Sequence, residues 1–211
     1  DCAVASLPNS TMPDGISCGT FSMEMPLQGI EDYCKRQSVT ICSYLQSALA
    51  ETLCRFTREA HPMFVTVSNG RAASNALQHT MGMFVKTVPV VRTTESGTVS
   101  DAVKSIHRQL LQTYENDYYP LTAMVEKWHI APQILFAYQG GLYDGASEIA
   151  NAKFIPLALD TTKMPMEVIT YPHDGNLCIH ITYDGQRYSH QDMATFAQAY
   201  AQVAMSMAEG Q

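Results

Sequence analysis

Met81-Gly82-Met83-Phe84-Val85-Lys86-Thr87-Val88-Pro89-Val90-Val91-Arg92 is the stretch on which the fold of this 211-residue chain turns. Val85 and Val88, in β-branched surroundings, predict a strand over 83–91, since such side chains pack well on a pleated surface. Upstream, 63–67 is a shorter strand that runs into Ser68-Asn69-Gly70-Arg71. A glycine and a planar, permanently charged side chain at a strand end suit a tight turn anchored by hydrogen bonds. Two strands joined across such a turn begin a sheet.

Working outward, Leu27, Ile30 and Cys34 predict a short helix, and Thr40 is placed to cap a second whose apolar face is Ile41, Leu45, Ala48, Leu49, Leu53 and Phe56. Val103, Ile106, Leu110, Leu111 and Tyr114 mark an amphipathic helix from near Ser100, and another runs from Pro120 through Trp128. Strands are expected over 134–138, 154–159, 166–171 and 177–183, the last two joined by His173-Asp174-Gly175-Asn176, a hairpin signal. Ser189 and Asp192 form a capping-box start for a final helix with the stripe Met193, Phe196, Ala197, Tyr200, Val203, Ala204 and Met207. Residues 1–26 carry turn formers and no sustained period, and are expected to be a linker or irregular lead-in. Residues 140–153, with Gly140-Gly141 and Asp144-Gly145, are expected to leave the core as an excursion. The sum is an α/β chain with a mixed sheet covered by helices.

Composition narrows the function classes. A chain of this length suits one domain or a large subdomain, and 46% hydrophobic with 16% charged residues is ordinary globular composition. A net charge of -7 gives no footprint for nucleic acid or an anionic membrane. The longest apolar runs are strand-sized, short of the roughly 20 residues of a membrane span. Six cysteines show no zinc spacing, and Cys34, Cys42 and Cys54 fall at helical, largely apolar positions where a free thiol acts as a small hydrophobe, which points to a reducing, cytoplasmic setting. Scattered histidines offer no metal site. The start at Asp1 fits an excised piece of something larger.

The turn and the 81–92 stretch resemble, in order and spacing, the Ser-Gly-Arg turn and the Gly-x-Phe-Val-Asn-Thr segment of non-ribosomal peptide synthetase condensation domains. Asn116-Asp117-Tyr118-Tyr119-Pro120-Leu121 resembles the family's His/Asn-Gln-Asp-x-Pro-Phe element, and 177–207 its closing strand, Tyr-Asp turn and last helix. The resemblance runs from about residue 27 to the C-terminus and covers the family's second half. It implies a chloramphenicol-acetyltransferase-like α/β sandwich, one half of a two-subdomain condensation domain, over 27–211. The family's His-His-x-x-x-Asp-Gly signature does not occur in this chain, so the chain alone is expected to be inactive.

By the same resemblance, Ser68, Asn69, Arg71, Gly82, Phe84, Val85, Thr87 and Asp117 are candidates for the acceptor side of a substrate tunnel, and 140–153 for a bridging latch. Lys86 departs from the family, which carries Asn there. Implied partners are the N-terminal subdomain, peptidyl or aminoacyl carrier proteins and an adjoining adenylation domain. No cofactor is bound directly, and the phosphopantetheine arm arrives on the carrier. Structural explanations stay open beside these: Arg71 as an anchor of its turn, Asp117 as a cap with Pro120 starting a helix. Ile179-His180-Ile181-Thr182-Tyr183-Asp184-Gly185 matches half of the acyltransferase signature, so a self-contained acyltransferase with His180 as general base and Asp184 as its structural partner is one alternative. On an alternating strand His180 is equally a surface or interface histidine. The other alternative is a carrier-binding scaffold module without catalysis.

Overall fold

The computed structural model describes residues 3–71, 75–93, 97–140 and 161–210. The expected strand at 154–159 and all but the first residue of the 140–153 excursion lie outside them. Among the described residues there are seven strands: β1 (Ala3–Val4), β2 (Gly19–Pro26), β3 (Pro62–Ser68), β4 (Lys86–Val91), β5 (Ile134–Tyr138), β6 (Met166–His173) and β7 (Asn176–Tyr183). Five α-helices accompany them, α1 (Gln28–Gln37), α2 (Ile41–Thr57), α3 (Val99–Glu115), α4 (Leu121–Trp128) and α5 (His190–Glu209), with a short 3-10 helix at Asn75–His79. The strands form one mixed sheet in the order β1-β3-β5-β6-β7-β2, with β4 also paired to β3. The β1/β3, β3/β5 and β5/β6 pairs are parallel; β3/β4, β6/β7 and β2/β7 are antiparallel.

Alternation decides which face is covered. Leu177, Ile179, Ile181 and Tyr183 on β7 are buried, as are Met166 and Val168 on β6 and Ile134 and Phe136 on β5, and register aligns them on one face. Helices α2 and α5 form the centre of the opposing layer. Phe56 meets Phe196 edge to face at 5.3 Å, and the Tyr200 hydroxyl donates to the Leu45 carbonyl at 3.1 Å. Helix α2 is buried from Ser43 through Ala50, which explains its small and apolar residues on nearly every side. Side-chain caps start three of the five α-helices: Thr40 accepts from the Ser43 N–H, and Thr98/Asp101 and Ser189/Asp192 are reciprocal capping boxes. The β6/β7 hairpin turns at Asp174 and Gly175, both with positive φ, as its Asp-Gly pair predicts.

The lead-in differs from the expectation. Residues 3–4 and 19–26 are strands, β2 pairing with β7 along its full length from Gly19↔Tyr183 to Pro26↔Asn176. Between them the chain is tied to a distant turn: Ser10 N–H donates to the Arg187 carbonyl at 2.7 Å, Gly15 N–H to Gly185 at 2.7 Å, and the Tyr183 hydroxyl to Asp14 Oδ2 at 2.6 Å. Ala5 and Leu7 are core residues. The order in this segment comes from partners far along the chain, which local turn formers do not reveal. Strand β4 also starts later than expected, at Lys86 rather than 83, because the β3 ladder ends at Ser68↔Lys86.

Candidate functional site

The last rung of the β3/β4 ladder puts Ser68 opposite Lys86, so the two side chains leave the sheet together. Asp117, just beyond the C-terminus of α3, meets both. Ser68 Oγ donates to Asp117 Oδ2 at 2.6 Å and Lys86 Nζ to Oδ1 at 2.7 Å. The Asp117 carboxylate is buried while the Lys86 side chain is one-third exposed. Burial alone would raise the carboxyl pKa, but the hydrogen bonds from Lys86 and Ser68 and the Lys86 charge hold it below the ordinary value. Charge-assisted bonds to both oxygens are the strong kind.

The turn hangs from this cluster. Ser68 Oγ accepts the Gly70 N–H at 3.1 Å, and Asn69 Oδ1 accepts the Arg71 N–H at 3.0 Å. Gly70 has φ +65°, and a Cβ there would lie 1.9 Å from the Phe84 carbonyl oxygen, so the turn backbone rests directly on the segment that leads into β4. The Arg71 guanidinium gathers the returning loop by donating to the carbonyls of Leu77, Thr80 (2.8 Å) and Gly82 (3.3 Å), and stacks 4.6 Å over the Phe84 ring. Met81, Met83 and Val85 stand 100%, 90% and 57% exposed on that loop. A Cβ on Gly82 would press on the Phe84 ring at 3.1 Å. Thr87 pairs with Val67 in the ladder, half-buried. Asp117 also borders a groove of about 250 Å³ with Val88, Pro89, Gln109, Tyr119 and Met124. A cavity of about 280 Å³ lies apart from the cluster, where Arg92 and Glu51 pair at 3.3 Å.

The eight residues singled out from sequence therefore fall along one continuous feature. Lys86, read there only as a departure, is the cation that pairs with Asp117, and that partner lies 31 residues away. A lone lysine entering an apolar strand was the available signal.

His180 lies elsewhere, on β7, with Ile179 and Ile181 buried to either side and its own ring half-buried. Its Nδ1 shares a 2.7 Å hydrogen bond with Ser22 Oγ, directly across the β2/β7 ladder. Burial lowers its pKa, favouring the neutral ring. Asp184 Oδ1 accepts the Gln186 N–H at 2.9 Å, which closes the turn. Ser22 was missed with the rest of β2, although polar Thr20, Ser22 and Glu24 alternate with Phe21, Met23 and Met25. Among the described residues no three His, Cys, Asp or Glu side chains could hold a metal ion, and no helix is long and apolar enough to cross a membrane. Burial pushes the Cys34 thiol up to about 11.

Comparison with known proteins supplies the context. The model of the Condensation domain family matches residues 3–210, so the lead-in, expected to precede the family pattern, lies within it. Malpinin synthetase of Mortierella alpina is 30% identical over 89 residues, 42% of this chain and 1% of that protein. A four-domain nonribosomal peptide synthetase solved with AMP and glycine matches 98% of this chain with a TM-score of 0.84 at 16% identity, and 18% of it is covered. The epimerization domain from the third module of tyrocidine synthetase B matches 98% of this chain with a TM-score of 0.72 at 18% identity, and 52% of it is covered. The chain thus spans a small part of these synthetases and about half of that single domain. The fold is that of condensation domains, a chloramphenicol-acetyltransferase-like mixed sheet with helices.

Proposed function

This chain belongs to the Condensation domain family, and on that premise we propose that it is the C-terminal half of a peptide-synthetase condensation domain. In this reading the whole domain joins a carrier-bound donor thioester to a carrier-bound acceptor amine. The amine nitrogen attacks the thioester carbonyl, the C–S bond breaks, the thiol of the donor's phosphopantetheine arm leaves, and an amide forms. The preceding half carries the His-His-x-x-x-Asp-Gly signature and with it the proton transfer from the amine. This half contributes position: Ser68, Asn69, Arg71, Gly82, Phe84, Val85, Thr87 and Asp117 form the acceptor-side wall along which the second arm runs. Correct alignment of reactants can lower a barrier by several kcal/mol, and roughly 7–11 kcal/mol at the extreme. Its working partners are the N-terminal subdomain, the two carrier proteins and an adenylation domain.

The observation that carries this reading is the linked turn, in which a buried ionised carboxylate and a three-carbonyl arginine clamp fix a loop whose outward side chains are left exposed. Met81, Met83 and Val85 together leave an apolar stretch open on that loop, which suits contact with a partner surface. The test is to express this chain in one polypeptide with the half that precedes it, supply loaded donor and acceptor carriers, and follow amide formation by mass spectrometry. Condensation by the joined protein, absent when either half is omitted, supports the proposal. A product formed by this chain alone and lost in His180→Ala would instead establish the self-contained acyltransferase. Carrier binding without product in the joined protein would establish the scaffold module.

A further inference from the structure

The Asp117 carboxylate is the hub of the turn, and it is a charged hub. Its two oxygens take one proton donor each, Ser68 Oγ on Oδ2 and Lys86 Nζ on Oδ1. Ser68 passes the restraint onward by accepting the Gly70 N–H. A carboxylate this buried stays ionised only with a compensating charge close by. Lys86 provides it from the opposite strand of the same rung. Its partial exposure means that the pair sits at the boundary between the sheet and the open face of the loop.

We propose that Lys86 is a positioning residue for the acceptor side: its ammonium keeps Asp117 ionised, so that Asp117 fixes Ser68 and through it the Ser68-Asn69-Gly70-Arg71 turn. The acceptor-side role rests on the functional reading above; the relay through Asp117 and Ser68 does not. Charge, rather than stem length, is what the relay needs. Lys86→Met keeps the stem and removes the charge, leaving Asp117 to take up a proton and Ser68 without its ionic acceptor. Lys86→Arg restores a cation able to reach a carboxylate oxygen.

The experiment uses the joined polypeptide, with KM measured separately for the donor and acceptor carriers. Lys86→Met raises the acceptor KM about tenfold with the donor KM unchanged and kcat within about threefold, the pattern of lost binding on one side only. Lys86→Arg returns the acceptor KM to within about threefold of the parent, as a charge-assisted pair reformed by another cation requires. Equal rises in both KM values, or no rise in either, overturn the proposal and leave Lys86 a structural prop. If the joined parent protein forms no amide, the functional reading fails by itself. The relay is then decided on this chain by amide hydrogen exchange read by NMR. Exchange at Gly70 accelerated about tenfold in Lys86→Met and restored in Lys86→Arg, with Phe64 and Val90 unchanged, supports it. Unaltered Gly70 exchange overturns it.

Discussion

Replacing Gly70 by alanine tests the close approach of the turn to the Phe84 backbone. Gly70 has φ +65°, and the added Cβ would meet the Phe84 carbonyl oxygen at 1.9 Å and its carbonyl carbon at 2.9 Å. Left-handed backbone costs an L-residue roughly 1–2 kcal/mol. The clash is with backbone, so the segment around Phe84 or the turn must move, and overpacking of that kind costs a further 1–3 kcal/mol, roughly. The expected loss is their sum, roughly 2–5 kcal/mol. Gly175 separates the two contributions: it has φ +78° in the β6/β7 hairpin, but nothing lies within 4 Å of its added Cβ. Gly175→Ala therefore loses only the backbone part, roughly 1–2 kcal/mol. Urea unfolding of the parent and both variants measures the difference, with a matching Tm gap of roughly 2–4 °C per kcal/mol for a chain of this size. Equal losses in the two variants, or a larger loss at Gly175, would refute the close approach.

Asp117→Asn destabilises the chain by about 2–3 kcal/mol at pH 7, since it removes two charge-assisted bonds. Because the folded carboxyl pKa lies below the ordinary value, the stability it contributes is present above the unfolded pKa near 4 and fades as pH falls through the folded one. Urea titrations of parent and variant should therefore converge as the pH is lowered below about 4, and a gap constant with pH would count against an ionised Asp117. Arg71→Lys loses the fan of three carbonyl bonds, costs about 1–2 kcal/mol, and renders the segment 80–85 cleavable by a protease at low dose, whereas unchanged stability and resistance would dismiss the clamp. His180→Ala, apart from the turn, leaves amide formation by the joined protein within about twofold and lowers stability by about 1 kcal/mol through the lost Ser22 bond. Loss of product formation on that substitution would move the chemistry to β7.

Most of the helix layer was legible because its signals are local. Thr40 and Ser189 announce their helices within a single turn, whereas α3 was read from its apolar face and its Thr98 cap was not, and the α5 stripe from Met193 to Met207 is buried throughout. Strands β5 to β7 follow from apolar alternation and one Asp-Gly turn. Strand β2 was not legible as part of the sheet, since its partner residues lie 150 to 164 positions away and Gly19 and Pro26 at its ends read as punctuation. Strand β1 is two residues long, too short for any period. At the site, sequence identified Ser68, Arg71 and Asp117 one by one, but the Lys86–Asp117 pair arises from a strand start meeting the residue after a helix. Sequence spacing carries no trace of that meeting.

The measurement that bears most directly on this chain as an acceptor-side wall is photo-crosslinking in the joined protein. An acceptor carrier with a diazirine near the end of its phosphopantetheine arm is bound, irradiated and mapped by peptide mass spectrometry. The account predicts adducts within 68–71 and 81–87. Adducts centred on Ser22 and His180, or spread evenly over the surface, would contradict it.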